Sequence, residues 1–303
     1  MVFPKHLLDL SAWDKDQYLF FFDLIQKAKK DPFDLLLSQK KKFSVGLIFQ
    51  EPSTRTKISF QRAIDALGGK SYIVHSHQSS LAKGESLLDT VQTLGALGID
   101  HVVVRASNQD VFDIAEHTKG CLINAGSGDM HHPTQGLLDA YTLWEYFGRL
   151  ESLRIVMVGD LVRSRVVQSN LRWMKAFNIQ PILWGPQAWL DGFEGYETYT
   201  QKDTEGLFNN VDVVMLHRIQ KERMQTSEHV DQCYNFHADY GLSQARLSQA
   251  KGSTVVMHPG PINRGVEISD EVARSAQSLI HTQVENGMWT RRVLMQNMVE
   301  ACQ

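Results

Sequence analysis

Short apolar runs without alternation recur along the chain, each followed by a stretch whose apolar residues return every three to four positions. In the first half, Val45 to Phe49 predicts a buried strand, Thr54 to Leu67 a helix ended by Gly68 and Gly69, and Ser71 to Val74 a second strand. Gly84 to Leu97 reads as a helix, His101 to Val104 as a strand, Val111 to Thr118 as a helix closed by Gly120, and Cys121 to Asn124 as a strand. Runs this short and apolar on both faces suit parallel strands covered by helices on each side. After a long helix from Thr134 to Phe147 the rhythm restarts, with strands Arg154 to Val158, Pro181 to Trp184, Val211 to Leu216 and Thr254 to Met257. Helices at Val166 to Phe177 and near Leu242 to Ala250 lie between them. Two more helices bracket the whole: one near the start, where Ser11 with Asp14 reads as a capping box, and one from Gly287 to the end.

This order predicts the α/β class, with two doubly wound parallel-sheet domains bridged by helices. The first domain is expected over residues 1–138 and the second over 139–286, with the helix 287–303 packing back on the first. Two stacked domains of this kind invite an active site in the cleft between them, because open parallel sheets bind ligands beyond their C-terminal strand ends.

Composition narrows the function mainly by exclusion. The chain has 303 residues, 43% of them hydrophobic, and 31 basic against 34 acidic side chains for a formal charge of −3. That length suits two domains with cores of their own, and the balance of charge carries no footprint for nucleic acid. Cys121, Cys233 and Cys302 stand far apart with no CxxC, so neither a disulfide framework nor a zinc module is expected, and a reducing cytoplasm fits. No basic leader followed by an apolar run opens the chain, and no stretch is long and apolar enough to enter a membrane.

The densest polar cluster, Glu51-Pro52-Ser53-Thr54-Arg55-Thr56, falls between the first predicted strand and its helix. Free N–H groups and the helix dipole favour an anion at such a junction; Ser53, Thr54 and Thr56 add hydroxyl donors and Arg55 a planar fork suited to phosphate. The plain alternative is that Ser53 or Thr54 is only an N-cap and Arg55 a solvated first-turn residue. Two other strand ends bear on the choice. One predicted strand ends in Arg105, and another runs into the segment Ala125 to Gln135, which holds His131, His132 and Gln135. In a parallel sheet all three endings open on one edge, so Arg105, His132 and Gln135 converge on whatever the cluster holds. Adjacent His131 and His132 point apart and have no third ligand at useful spacing, so no metal site is expected.

In the second half Gly159-Asp160 follows a strand as a dinucleotide turn would, but without the further glycines, and there is neither GxxxxGK[ST] nor GxSxG. Nicotinamide, Walker-type ATP and hydrolase readings therefore lack support, and no cofactor is expected. What this half offers is Arg165 and the run Arg218-Ile219-Gln220-Lys221-Glu222-Arg223, cationic groups suited to a ligand carrying carboxylates. For any single arginine a solvated basic face is the usual alternative.

Together these segments resemble the catalytic chains of the aspartate carbamoyltransferase family. Phe49 to Thr56, Ser80-Leu81-Ala82-Lys83-Gly84-Glu85, His132-Pro133-Thr134-Gln135, Gly159-Asp160 with Arg165, Arg218 to Arg223, and His258-Pro259-Gly260-Pro261 to Arg264-Gly265 occur in the family's order over effectively the whole chain. The resemblance implies a first domain for carbamoyl phosphate and a second for L-aspartate, giving N-carbamoyl-L-aspartate and phosphate in pyrimidine biosynthesis. Carried over residue by residue, Ser53, Thr54, Arg55 and Thr56 hold the phosphate, while Arg105 and His132, with Thr56, contact the carbonyl oxygen. Gln135 and the backbone around Gly260 and Pro261 receive the carbamoyl amide, and Arg165, Arg218 and Gln220 grip the aspartate carboxylates. The segment with Ser80 and Lys83 is implied to reach the site of a neighbouring subunit in a homotrimer, Lys83 screening the repulsion between two anionic substrates. Regulatory chains or another enzyme of the pathway are further partners the resemblance allows.

Gln50, Ala106 and Gly260 depart from the usual pattern, which more often has Phe, His, and Ala or Leu there, and none of the three removes a charged contact. An ornithine or other amino-acceptor carbamoyltransferase is the sister reading. That family typically has Lys in place of Glu51 and His-Cys-Leu-Pro in place of His258-Pro259-Gly260-Pro261, and both positions favour aspartate. An inactive scaffold homologue is the reading from another class, and the filled catalytic positions weigh against it.

Overall fold

A computed structural model describes residues 3–32, 43–220 and 235–302. The chain divides into two compact units, the first made of Met1–Tyr141, Gln168–Trp173 and Val284–Gln303, the second of Thr142–Val167 and Met174–Gln283.

The first unit is built on strands β1 (His6–Leu7), β2 (Ser44–Phe49), β3 (Lys70–His75), β4 (His101–Ala106) and β5 (Leu122–Ser127), all parallel in the order β1-β5-β4-β2-β3. Helices α1 (Lys15–Lys30), α2 (Thr54–Ala66), α3 (Leu87–Ala96) and α4 (Asn108–Ala115) make its crossovers and flanks. The central strands are the apolar runs of the sequence: Val45, Leu47, Ile48, Val102, Val103, Val104, Leu122 and Ile123 are buried, and Leu87, Val91, Leu94, Val111 and Ile114 of the helices close over them. Strand β3 alternates exposed and half-buried positions, as an edge strand does. On α1, Tyr18, Phe21, Phe22 and Ile25 face inward, and Phe22 lies with its ring centroid 5.8 Å from that of Tyr141.

The second unit repeats the plan with β6 (Ile155–Gly159), β7 (Ile182–Trp184), β8 (Glu197–Tyr199), β9 (Val213–His217) and β10 (Val255–Met257), again all parallel, in the order β10-β9-β6-β7-β8. Val156, Val158, Val214, Leu216 and Val256 pack with Trp184, Trp189, Phe208 and Phe236, the rings of Trp189 and Phe236 stacked at 5.3 Å. Helices α5 (Pro133–Phe147) and α6 (Arg165–Ala176) and the C-terminal helix (Ile280–Ala301) complete the main elements.

Several expected boundaries move. The capping box of α1 is Asp14 with Gln17, not Ser11 with Asp14: Asp14 accepts from the Gln17 N–H at 2.8 Å and the Gln17 side chain accepts from the Asp14 N–H at 2.9 Å, while the Ser11 hydroxyl donates to Asp9. Gly84 is not helical; its φ of 94° closes a 3-10 turn over Ser80–Lys83, and α3 begins only after Ser86, whose hydroxyl caps it. The helix expected around Leu242 to Ala250 is limited to Gln244–Leu247. Gly287 does not open the C-terminal helix but sits within it, where a Cβ would come within 3.1 Å of Leu138 and closer still to Arg291. The short strands β1 and β8 have too few residues to show a pattern in the sequence. Among the described residues, no helix is long and apolar enough to cross a membrane.

Candidate active site

At the C-terminal edge of the first sheet, the pairing of β2 with β4 sets Phe49 opposite Arg105, and that of β4 with β5 sets Ala106 opposite Ser127. The three strand endings singled out in the sequence are therefore neighbours. Beyond β2 the chain turns into α2 with Ser53 at the N-cap in an extended conformation (φ −157°), yet the Ser53 side chain makes no capping hydrogen bond. The first-turn N–H groups are thus left without the side-chain cap that the plain reading of Ser53 assigned to them. Thr54 and Arg55 are exposed at this turn and Thr56 is buried. One strand over, the Arg105 carbonyl accepts from the Gln50 N–H at 2.9 Å, and its guanidinium Nε donates to Glu51 Oε2 at 3.0 Å. Arg105 is mostly buried and Glu51 half-exposed, so the pair fixes the guanidinium at the strand end in a partly desolvated setting.

Beyond β5, His132, Thr134 and Gln135 are buried at the start of α5. The His132 N–H donates to the Ser169 hydroxyl at 2.8 Å. The Gln135 amide donates to Asp139 Oδ1 at 2.9 Å, Asn170 donates to Asp139 Oδ2 at 3.1 Å, and the Trp173 indole donates to Asn170 at 3.0 Å. Arg291 of the C-terminal helix, fully buried, lies against the Phe60 ring and reaches Thr134 at 3.4 Å. Burial pulls the Arg291 guanidinium down to about 10, opposed by the charge of Asp139, and it stays protonated at neutral pH. This buried network holds the first turn of α5 in one geometry. It was not read from the sequence, although the four-residue spacing of Gln135 and Asp139 on one helix face was there to be seen. The His131 ring lies 6.0 Å from that of Phe112, and burial lowers its pKa. Ser80 and Lys83 sit exposed on the 3-10 turn that precedes α3. Among the described residues no group of three His, Cys, Asp or Glu could hold a metal ion.

The second sheet gathers its own cluster at the same kind of edge, where β6, β9 and β10 lie side by side and Gly159 is opposite His217. Gly159 has φ 125°, and a Cβ there would lie 2.0 Å from the His217 carbonyl oxygen, so only glycine permits this approach. Asp160, buried, pairs with Arg163 at 3.0 Å and accepts from the Gln220 N–H at 3.4 Å; burial raises its pKa against the pull of Arg163. The Gln220 amide donates to the Arg163 carbonyl at 2.8 Å. Arg165 is buried at the first position of α6, and Arg218 is half-buried just past β9. Residues 221–223, the remainder of that run, lie outside the described residues.

Past β10, the His258 Nδ1 accepts from the Gly260 N–H at 2.8 Å, which makes Nε2 the protonated nitrogen that donates to Glu267 Oε1 at 3.0 Å. Both side chains are fully buried. Glu267 Oε1 also accepts from the Asn263 N–H at 2.6 Å, and the Asn263 amide donates to the Ile219 carbonyl, between Arg218 and Gln220, at 3.1 Å. Gly260 has φ 69°, a left-handed conformation that favours glycine, so the departure from Ala or Leu noted in the sequence matches the backbone here. Glu267, nine positions from His258, gave no sign of this role in the sequence. His217 is buried beside Ser164, with 3.5 Å between its Nδ1 and the hydroxyl, and chiefly desolvation pushes its pKa to about 3.

Comparison with known proteins covers both halves of the chain. The family model for the aspartate/ornithine carbamoyltransferase carbamoyl-P binding domain matches residues 5–145, and that for the Asp/Orn binding domain matches residues 151–298. A curated relative, the aspartate carbamoyltransferase catalytic subunit of Chloroflexus aggregans, is 38% identical over 97% of this chain and 98% of its own. Among solved structures, aspartate transcarbamoylase of Trypanosoma cruzi in complex with N-(phosphonacetyl)-L-aspartic acid superposes with a TM-score of 0.84 at 27% identity, covering 97% of this chain and 95% of that one. Ornithine carbamoyltransferase of Thermus thermophilus shares the fold, with a TM-score of 0.81 at 23% identity over 98% of this chain and 100% of that one. With both family models matched in sequence order across nearly its whole length, the chain belongs to the aspartate/ornithine carbamoyltransferase family.

Proposed function

We propose that the chain transfers the carbamoyl group of carbamoyl phosphate to the α-amine of L-aspartate, yielding N-carbamoyl-L-aspartate and phosphate, a step of pyrimidine biosynthesis. The observation that carries this reading is the meeting of the uncapped α2 N-terminus, Arg105 and the buried start of α5 at one edge of the first sheet. It suits a small phosphorylated electrophile. In this reading Ser53, Thr54, Arg55 and Thr56 bind the phosphate, and Arg105, His132 and Thr56 face the carbonyl oxygen. Gln135, braced by Asp139, and the backbone around Gly260 and Pro261 take the carbamoyl amide. Arg165, Arg218 and Gln220 of the second unit hold the two carboxylates of aspartate.

The chemistry asks for no covalent nucleophile. Attack by the neutral amine builds negative charge first on the carbonyl oxygen and then on the departing phosphate, so aimed cations and N–H donors at those two places lower the barrier. Holding both reactants in register supplies much of the rest. The departing phosphate is the natural acceptor for the amine's proton. The reading also includes a homotrimer in which Ser80 and Lys83, exposed on their turn, complete the site of the next subunit, a head-to-tail contact that closes into a ring.

A bisubstrate analogue joining a phosphonate to aspartate tests the assignment directly. At ~100 times its dissociation constant it stabilises the fold by about 2.7 kcal/mol, read as a raised melting temperature that EDTA leaves in place. No shift at high analogue concentration contradicts the reading.

A further inference from the structure

The buried chain of hydrogen bonds behind Gln135 has a direction, and its members set that direction by what they can donate or accept. Gln135 and Asp139 stand four apart on α5, and Asn170 and Trp173 three apart on α6, in the stretch of that helix that belongs to the first unit. Asp139, Asn170 and Trp173 are fully buried, and Gln135 keeps 7% of its surface exposed. The Trp173 indole N–H can only donate, so it meets the Asn170 Oδ1, at 3.0 Å, and leaves that residue its NH2. This NH2 donates to Asp139 Oδ2 at 3.1 Å. The other carboxylate oxygen, Oδ1, accepts from Gln135 Nε2 at 2.9 Å. A carboxylate that accepts at both oxygens has nothing to donate, so Gln135 can meet it only with its NH2. Gln135 Oε1, which makes no hydrogen bond among the described residues, is the atom left over.

The two ends of a glutamine amide have nearly the same shape and differ in whether they accept or donate, so without such a partner either could face a ligand. We propose that Asp139 is a positioning residue for selectivity: by holding the Gln135 NH2 it leaves Oε1 to accept from the carbamoyl NH2, so that the site prefers a carbamoyl group to an acyl group of the same shape. This inference rests on the proposed function, in which Gln135 takes the carbamoyl amide. A methyl in place of that NH2 leaves Oε1 in a nearly dry setting without a donor, and the site discriminates against it for that reason. Asp139 acts through Gln135 and not on the substrate.

The polarity of the chain can be reversed and restored by substitution. With Asp139→Asn, the Asn170 NH2 still demands an oxygen, so the introduced amide turns its own NH2 to Gln135. Gln135 then meets it with Oε1 and presents NH2 to the ligand, donor against donor. With Asn170→Asp added, the new carboxylate accepts from Trp173 and from the introduced amide, whose oxygen now faces Gln135. The original orientation returns, with net charge and side-chain shapes kept.

The test is calorimetric binding of two stable analogues of carbamoyl phosphate, phosphonoacetamide and acetonylphosphonate, which carry the same charge and differ as NH2 and CH3. The parent chain is expected to bind the amide about tenfold more tightly. Asp139→Asn abolishes that preference by weakening the amide, while acetonylphosphonate binds as it does to the parent. Gln135→Ala abolishes it too, and Asp139→Asn then changes the preference no further. The chain with both Asp139→Asn and Asn170→Asp regains it. If Asp139→Asn does not fold, this double variant, in which every hydrogen bond of the chain is kept, carries the test. Equal weakening of both analogues by Asp139→Asn marks a merely structural role and overturns the proposal. So does a parent without preference, or a double variant that melts as a folded protein and lacks it. A parent that binds neither analogue contradicts the proposed function, and the inference falls with it. A parent that forms carbamoyl-aspartate and whose preference survives Asp139→Asn contradicts the inference alone.

Discussion

The arginines of the two units are given different work, and single substitutions separate it. Arg55, exposed at the uncapped start of α2, is assigned to a phosphate whose charge grows as it leaves, so Arg55→Ala lowers turnover by ~10²-fold, the scale seen when one oriented donor is deleted. Arg218 and Gln220 are assigned to the acceptor. Arg218→Ala and Gln220→Ala therefore raise the aspartate KM while carbamoyl phosphate binding, followed by calorimetry, stays near the parent value. Equal weakening of both ligands would place these two residues elsewhere. His217 carries a different kind of prediction. Its folded pKa of about 3 lies below the unfolded value near 6.5, so the unfolded chain binds one more proton between those limits. Stability from this residue is whole above pH ~6.5 and declines as pH falls, by about 2 kcal/mol at pH ~5. Urea unfolding measured between those two pH values reads this slope, and His217→Asn flattens it; an unchanged slope in the variant refutes the account.

At the scale of elements, the loop after β10 and the loop after β9 are held together by one buried carboxylate. Glu267 accepts from His258 and from the Asn263 N–H, and Asn263 in turn holds the Ile219 carbonyl. Glu267→Ala leaves a buried imidazole N–H and a backbone N–H without their acceptor, at a cost of about 1–3 kcal/mol for each group. The melting temperature falls accordingly. Asn263→Ala removes only the tie to the Ile219 carbonyl, so it costs less stability and still raises the aspartate KM. A KM that is indifferent to both changes would mean that this clamp does not serve the acceptor half. None of the clamp was legible beforehand, because the burial of Glu267 depends on packing that no local pattern encodes. What was legible is the set of central strands: β2, β4, β5, β6 and β9 are runs such as Val45 to Phe49 that can only be buried on both faces. Edges and ends were harder. The strand β1 has two residues, and a three-residue capping spacing fits Ser11 with Asp14 as well as Asp14 with Gln17 until the backbone chooses. Gly287 reads as the opening of the last helix only because the approach of Leu138, which explains a glycine within it, is distant in sequence.

Across the whole molecule, two parallel sheets of similar plan carry clusters of different chemistry at their C-terminal edges, one with Thr54, Arg55, Arg105 and His132, the other with Arg165, Arg218 and Gln220. The first cluster reads as a candidate phosphate cradle from Glu51 to Thr56 because hydroxyls, a guanidinium and free N–H groups meet at one strand-to-helix junction, a pattern that an N-cap with a solvated arginine also fits. The acceptor was legible only through the resemblance, since Glu51 and the Pro259 to Pro261 turn separate aspartate from ornithine by pattern and not by any local physical rule. The acceptor is therefore where the account is most exposed. Carbamoyl phosphate labelled with carbon-13 at its carbonyl, incubated with the purified chain and equal concentrations of L-aspartate and L-ornithine, decides it by the carbonyl resonance of the product. The label is expected in N-carbamoyl-L-aspartate, with phosphate released in equal amount and no carbamoyl-ornithine. Label in carbamoyl-ornithine, or carbamoyl phosphate that remains no more reactive than in buffer, contradicts it.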